Sequence, residues 1–308
     1  MNYLLAIVTE IIGPILALIV LGGVLQRKFS FHLRTLSHLV TYALLPATVF
    51  LNLYETKMDQ QLFIDLVSFL LLFIIGGMLM SVLVSRTLRL DRETSAVFQN
   101  SVVLVNAGNY GIPVSQMVFS AQPIGITIQF MVMVIQNVTT YTFGLSNLIA
   151  TRKTGLEIIR ELLRLPLIHA LWIGAVFNLM NWTPPITLLT TIEYVGSGFL
   201  PVALILLGAQ LSQIELKTMF HPVIYWSAGL RLIGGPILAY GLLSLLGITG
   251  VVAKSLFIAS AFPTSRNSST LAFEYDVQAD LAAQMVLFST VLSAITVTAT
   301  IFLADLLW

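Results

Sequence analysis

The chain has 308 residues, of which 57% are apolar and 9% charged, and its mean hydropathy is +0.93. Such a composition excludes a soluble domain with a polar surface and describes an integral membrane protein. A net charge of +1 gives no basis for nucleic-acid binding, and the lack of cysteine excludes disulfides, thiolate metal sites and cysteine nucleophiles.

Apolar stretches of roughly 20 residues cross a hydrocarbon core of ~30 Å. In chain order they are predicted near 5–25, 34–53, 62–85, 95–119, 124–149, 166–180, 187–211, 222–246, 252–273 and 282–305, ten spans joined by short connections. No Lys or Arg precedes the first stretch and no small-residue cleavage site lies within reach of it, so it reads as a retained span rather than a signal peptide. The longest connection, 151–165, carries Arg152, Lys153, Arg160 and Arg164 in an amphipathic pattern suited to the membrane surface. It divides the chain into two five-span halves, 1–150 and 166–308.

The odd-numbered connections hold eleven Lys and Arg residues (Arg27, Lys28, Arg34, Arg86, Arg89, Arg92, the four of the linker, and Lys217), the even ones only Lys57 and Lys254. The positive-inside rule then puts the odd connections in the cytoplasm and both termini outside, in the cell's inner (plasma) membrane.

With an odd number of spans, two related halves must lie upside down relative to each other. Pro14 precedes Gly22 by the interval at which Pro166 precedes Gly174, Leu44-Leu45-Pro46 recurs as Phe199-Leu200-Pro201, and Pro113 in span four is matched by Pro263 in span nine. The three proline pairs have offsets of 152, 155 and 150 residues. Inverted repeats with interrupted helices at matching positions mark secondary transporters, whose sites lie at mid-membrane.

Proline removes a backbone donor and turns its predecessor away from the helical region, so Ile112-Pro113 and Phe262-Pro263 are each expected to end one half-helix and begin another, with Gly108 and Gly111 permitting the unwound backbone between. Each second half-helix then begins with free N–H groups and a positive dipole end, a setting for an anion. The side chains agree: Asn106 and Asn109 precede Pro113, while Thr264, Ser265, Arg266 and Asn267 follow Pro263. An arginine at that depth needs a partner or a cavity, and its planar fork suits a carboxylate. Pairing of Arg266 with Glu274 or Asp276, and helix capping by the asparagines, are the alternatives. The expected substrate-binding set is therefore Asn106, Asn109, Gly111, Pro113, Pro263, Thr264, Ser265, Arg266 and Asn267.

At these residues the chain resembles the auxin efflux carrier family, which includes the plant PIN-type auxin carriers and bacterial permeases assigned to malate and malonate. The resemblance rests on Asn106-Ala-Gly-Asn-Tyr-Gly-Ile-Pro113, on Leu200-Pro201-Val-Ala-Leu-Ile-Leu-Leu-Gly208-Ala-Gln-Leu211 and on Ala261-Phe-Pro263-Thr-Ser-Arg-Asn267. It implies a scaffold of spans one, two, six and seven, dimeric in most members. The other spans would form a transport domain that moves elevator-fashion, with spans four and nine crossing at the site. The short linker fits a compact prokaryotic member.

No crossover carboxylate suggests a coupling ion. Asp65, early in span three, is the candidate for coupling or support; Glu193, His38 and His169 are weaker ones, and Arg231, in span eight, needs a partner that Asp65 would supply. Proton coupling, sodium coupling, facilitated diffusion and anion exchange all stay open. No enzyme constellation such as His-Glu-x-x-His or Gly-x-Ser-x-Gly is present. The expectation is a non-enzymatic carrier of small organic anions, such as mono- or dicarboxylates, with no resident cofactor and a homodimeric partner in the bilayer. A sodium symporter of the bile-acid type, and an anion channel or sensor, are the alternatives.

Overall fold

The computed structural model describes residue 9 and residues 13–55, 60–148, 166–213 and 221–308. In chain order the helices are α1 (Gly13–Phe29), α2 (Leu33–Glu55), α3 (Gln61–Thr87), α4 (Arg92–Val103), α5 (Ile112–Val118), α6 (Pro123–Leu148), α7 (Pro166–Leu179), α8 (Ile186–Leu211), α9 (Pro222–Leu246), α10 (Gly250–Ser260), α11 (Arg266–Glu274) and α12 (Ala279–Leu307). Six of these described helices, α2, α3, α6, α8, α9 and α12, are long and apolar enough to cross a membrane. The chain is a multi-pass membrane protein, helical throughout its described elements. The linker 151–165, together with Lys57 and Lys217, lies outside the described residues.

Several boundaries follow from local chemistry. Asp91 caps α4 by accepting from the backbone N–H groups of Glu93 and Thr94, both at 3.1 Å. Proline opens α6 and α9, where its missing N–H is unneeded. Gly247 ends α9 in the left-handed region at φ 66°, a conformation glycine adopts without strain.

Glycines set the closest helix contacts. A Cβ on Gly22 of α1 would run into the carbonyl oxygen of Ile205 on α8, and one on Gly208 of α8 would run into that of Ile19 on α1. The two backbones therefore touch, as small residues allow between membrane helices. A related contact joins α7 to α2, where a Cβ on Gly174 would lie 3.0 Å from the carbonyl oxygen of Phe50. The apolar core runs from these helices to the interrupted ones, with Ile15, Val49, Leu66, Phe130, Phe199, Leu204, Phe262 and Val297 all at 1% exposure or less.

Candidate functional site: the crossover cavity

Two interrupted helices meet at the centre of the molecule. After α4 the chain is extended at Leu104 (φ −84°, ψ 113°), passes through Asn106 and resumes in a wide π-type turn, Ala107–Gly111, that leads into α5. After α10 it is interrupted before α11 begins at Arg266. Val105 and Thr264 pair as an antiparallel bridge, the N–H of Asn106 donates to the carbonyl of Pro263 at 2.9 Å, and the N–H of Ser265 donates to that of Leu104 at 2.7 Å. Side chains take up further backbone groups. Gln136 Oε1 accepts from the Val105 N–H at 3.1 Å, Ser289 Oγ accepts from the Thr264 N–H at 3.2 Å, and Thr264 Oγ1 donates to the Ser101 carbonyl at 2.8 Å. Irregular backbone at membrane depth is stable only when protein takes up its polar groups in this way.

The interruption near span four is not where proline predicts it. The chain runs through Ile112-Pro113 without a break, because Pro113 stands in the first turn of α5, where its missing N–H and fixed φ are tolerated. The break comes earlier, at Leu104–Asn106, and Pro263 marks only its counterpart. Gly111 serves packing: a Cβ there would press on Gln129 and Phe262.

A cavity of about 190 Å³ lies against the crossover. Its lining includes Asn106, Gly108, Asn109, Ser265, Arg266 and Asn267 of the interrupted segments, with Ser37 and Thr41 of α2 and Gln136, Asn137 and Thr140 of α6. No Asp or Glu is among its described lining residues. Asn106 is 4% exposed, and its Nδ2 is buried with no hydrogen-bond partner. Arg266 Nε is buried and unpartnered as well, while Asp276, one partner considered for it, stands exposed beyond α11. A buried donor without an acceptor is costly, and two residues of this cavity's lining, Asn106 and Arg266, each carry one. One expected donor is taken: Ser265 caps α11, its hydroxyl accepting from the Asn267 N–H at 3.2 Å. A second cavity of about 510 Å³ shares Ser37 and Arg266 with the first and extends to Arg34, Gln213 and Asp280.

The remaining candidates stand elsewhere. Pro263 and Thr264 build the crossover without lining the cavity. Glu193 is exposed on α8, and Asp65 accepts from Gln61 Nε2 at 2.8 Å on its own helix. The expected Asp65–Arg231 pair is not formed: Arg231, 3% exposed, donates from Nη1 to the Val102 carbonyl at 2.8 Å and from Nη2 to the Ser260 carbonyl. Sequence reasoning passed over Gln129 and Gln136. Gln129 Nε2 donates to the Ala107 carbonyl at 2.8 Å, and the signal was available, since glutamines seven residues apart in an apolar helix share one face.

The chain matches the family described as membrane transport protein over residues 7–160 and 150–301. It is 26% identical over 301 residues to an uncharacterized transporter of Methanothermobacter thermautotrophicus, covering 94% of this chain and 95% of the relative. It is 23% identical over 302 residues to an uncharacterized transporter of Methanocaldococcus jannaschii, covering 92% and 94%. A Rhizobium meliloti protein, provisionally named a malonate transporter, is 27% identical over 150 residues, 48% of this chain and 47% of the relative. With matches that together span most of its length, the chain belongs to the membrane transport protein family, that of the auxin efflux carriers it resembles.

Proposed function

We propose that this transporter is a secondary carrier of small organic anions, not an enzyme, and that it holds the substrate carboxylate in the crossover cavity. The observation that carries this reading is the pair of buried, unpartnered donors, Asn106 Nδ2 and Arg266 Nε, in residues that line one cavity with no acidic side chain among its described walls. Asn109 and Asn267 add amides to the same lining. The name of the Rhizobium meliloti relative favours malonate among the acids to be tried.

We further propose ten spans in two inverted repeats. The glycine contacts support this reading. Gly22 meets the carbonyl of Ile205, four residues after Pro201, and Gly174 meets that of Phe50, four residues after Pro46. The same contact thus recurs between matching helices of the two halves. The crossover has the same character, with each interrupted segment donating one N–H to the other. Spans one, two, six and seven then form a homodimeric scaffold, against which the crossover helices move as an elevator. The second cavity reaches the start of α2 at Leu33 and Arg34, beside the basic first connection, so the described conformation faces the cytoplasm on the positive-inside reading.

Uptake of labelled malonate, malate and indole-3-acetate into proteoliposomes tests the carrier. Saturable, trans-stimulated uptake of one acid, with its apparent KM raised by Arg266→Ala and by Asn106→Ala, is expected. Uptake indifferent to both changes overturns the site, and binding without flux overturns the carrier.

A further inference from the structure

Two of the interrupted helices, α4 and α10, end at the crossover, and a helix C-terminus leaves carbonyls without intrahelical partners and carries partial negative charge. In membrane carriers with broken helices, such C-terminal carbonyls are where a coupling cation such as sodium is held. Here partners are found for these carbonyls except that of Val103, the last of α4. On α4, Asn100 O accepts from the Leu104 N–H, Ser101 O from Thr264 Oγ1 and Val102 O from Arg231 Nη1. On α10, Ile258 O and Ala259 O accept from the N–H groups of Ala261 and Phe262, and Ser260 O accepts from Arg231 Nη2. One guanidinium therefore bridges the negative ends of both half-helices.

The surroundings hold the guanidinium at Nη1 and Nη2, while its Nε is buried without a hydrogen-bond partner. Arg231 stands in a π-type turn, Leu230–Gly234, that interrupts α9, a feature concentrated at functional positions. Its Cζ lies 5.6 Å from the centroid of the Phe73 ring, and a Cβ on Gly235 would lie 2.7 Å from both Arg231 Nη2 and the Ser260 carbonyl oxygen. Glycine at 235 thus keeps open the space that the guanidinium fills. No described carboxylate forms an ion pair with Arg231, so its charge faces carbonyl dipoles and an aromatic ring.

We propose that Arg231 is the built-in counter-cation of this carrier, holding with its guanidinium the place between the two half-helix C-termini that a coupling ion would take, so that transport runs without sodium. It is a positioning residue, acting on the substrate through the crossover geometry. The transport half of the inference rests on the carrier reading above; the occupancy half does not.

The experiment compares thermal unfolding of the purified wild type, Arg231→Lys and Arg231→Ala in sodium chloride and in choline chloride, each with and without millimolar guanidinium chloride. Wild type is expected to unfold at one temperature in both salts and to ignore guanidinium. Arg231→Lys keeps a cation and stays insensitive to sodium. Arg231→Ala unfolds several degrees lower and regains part of that loss with guanidinium, a rescue that lost packing alone does not give. A midpoint for wild type that rises in sodium overturns the proposal, as does an Arg231→Ala protein that is unshifted or that guanidinium leaves unrescued. If Arg231→Ala does not fold, wild type and Arg231→Lys decide by their response to sodium. Malonate uptake by wild type is measured in the same two salts. Equal rates support sodium independence, and faster uptake with a sodium gradient overturns it. Absence of uptake of malonate, malate and indole-3-acetate in either salt counts against the carrier reading alone, and the unfolding comparison then decides the role of Arg231.

Discussion

The backbone N–H of Asn106 donates to the carbonyl of Pro263 at 2.9 Å, so a cavity-lining asparagine is tied through its main chain to the opposite interrupted helix while its side-chain amide stays unpartnered. Site and crossover are thus one assembly. Thr264→Val keeps the shape but removes the hydroxyl that serves the buried Ser101 carbonyl. An unsatisfied buried acceptor costs about 1–3 kcal/mol, so the variant should unfold at a lower temperature in detergent, with the loss read by a thermal melt.

Arg266 should answer to geometry as well as charge. On the proposed anion site, Arg266→Ala would remove hydrogen bonds to a charged ligand, which contribute about 1.5–3 kcal/mol. At a factor of ten per 1.4 kcal/mol, the apparent KM for the transported acid should rise about ten- to a hundredfold. Arg266→Lys keeps the charge but not the planar fork and should fall between. Initial uptake rates over a concentration series check both.

Gly208→Ala should be among the most damaging small substitutions, since the new methyl meets the Ile19 backbone, which has no side chain to move aside. Overpacking typically costs about 1–3 kcal/mol and sometimes more. Gly241→Ala is the control, with nothing within 4 Å of its Cβ. Folded yield by size-exclusion chromatography separates the two.

Asp91 gives a pH dependence with a definite sign. A hydrogen bond from the Thr94 side chain, then the backbone N–H of Thr94, hold its carboxyl below the ordinary 3.8. A carboxyl depressed in the folded state contributes stability that is present above its unfolded value and is lost as pH falls through the folded one. Asp91→Asn should therefore differ most from wild type above the ordinary aspartate value near 3.9 and approach it as pH falls further below that value. Thermal melts across that range show it.

Much of this was legible in the sequence, and the failures have physical causes. Composition and apolar length give the membrane class and nearly the described bounds of α2, α3, α6, α8, α9 and α12. Asn106, Asn109, Arg266 and Asn267 reach one cavity because polar side chains in apolar spans have few other places to go. The break at Leu104–Asn106 escaped because Val103-Leu104-Val105 carries no local signal: its extended backbone is held by partners on another interrupted helix and by Gln136. Pro113, the conspicuous signal, marks a helix start instead. The partners of Arg231 were unreadable for a similar reason, since backbone carbonyls leave no trace in the side-chain code and an acidic residue was the natural guess.

The guanidinium between the Val102 and Ser260 carbonyls is fastened to the chain, so it is not released with the cargo and returns with the empty carrier. On the counter-cation reading, each monovalent anion carried in one direction then moves one uncompensated negative charge through the electric field of the membrane. That field is worth about 2.3 kcal/mol per charge for each 100 mV. In a cell whose interior is negative, voltage alone would drive such an anion outward and oppose its entry, giving the carrier a preferred direction without any ion gradient.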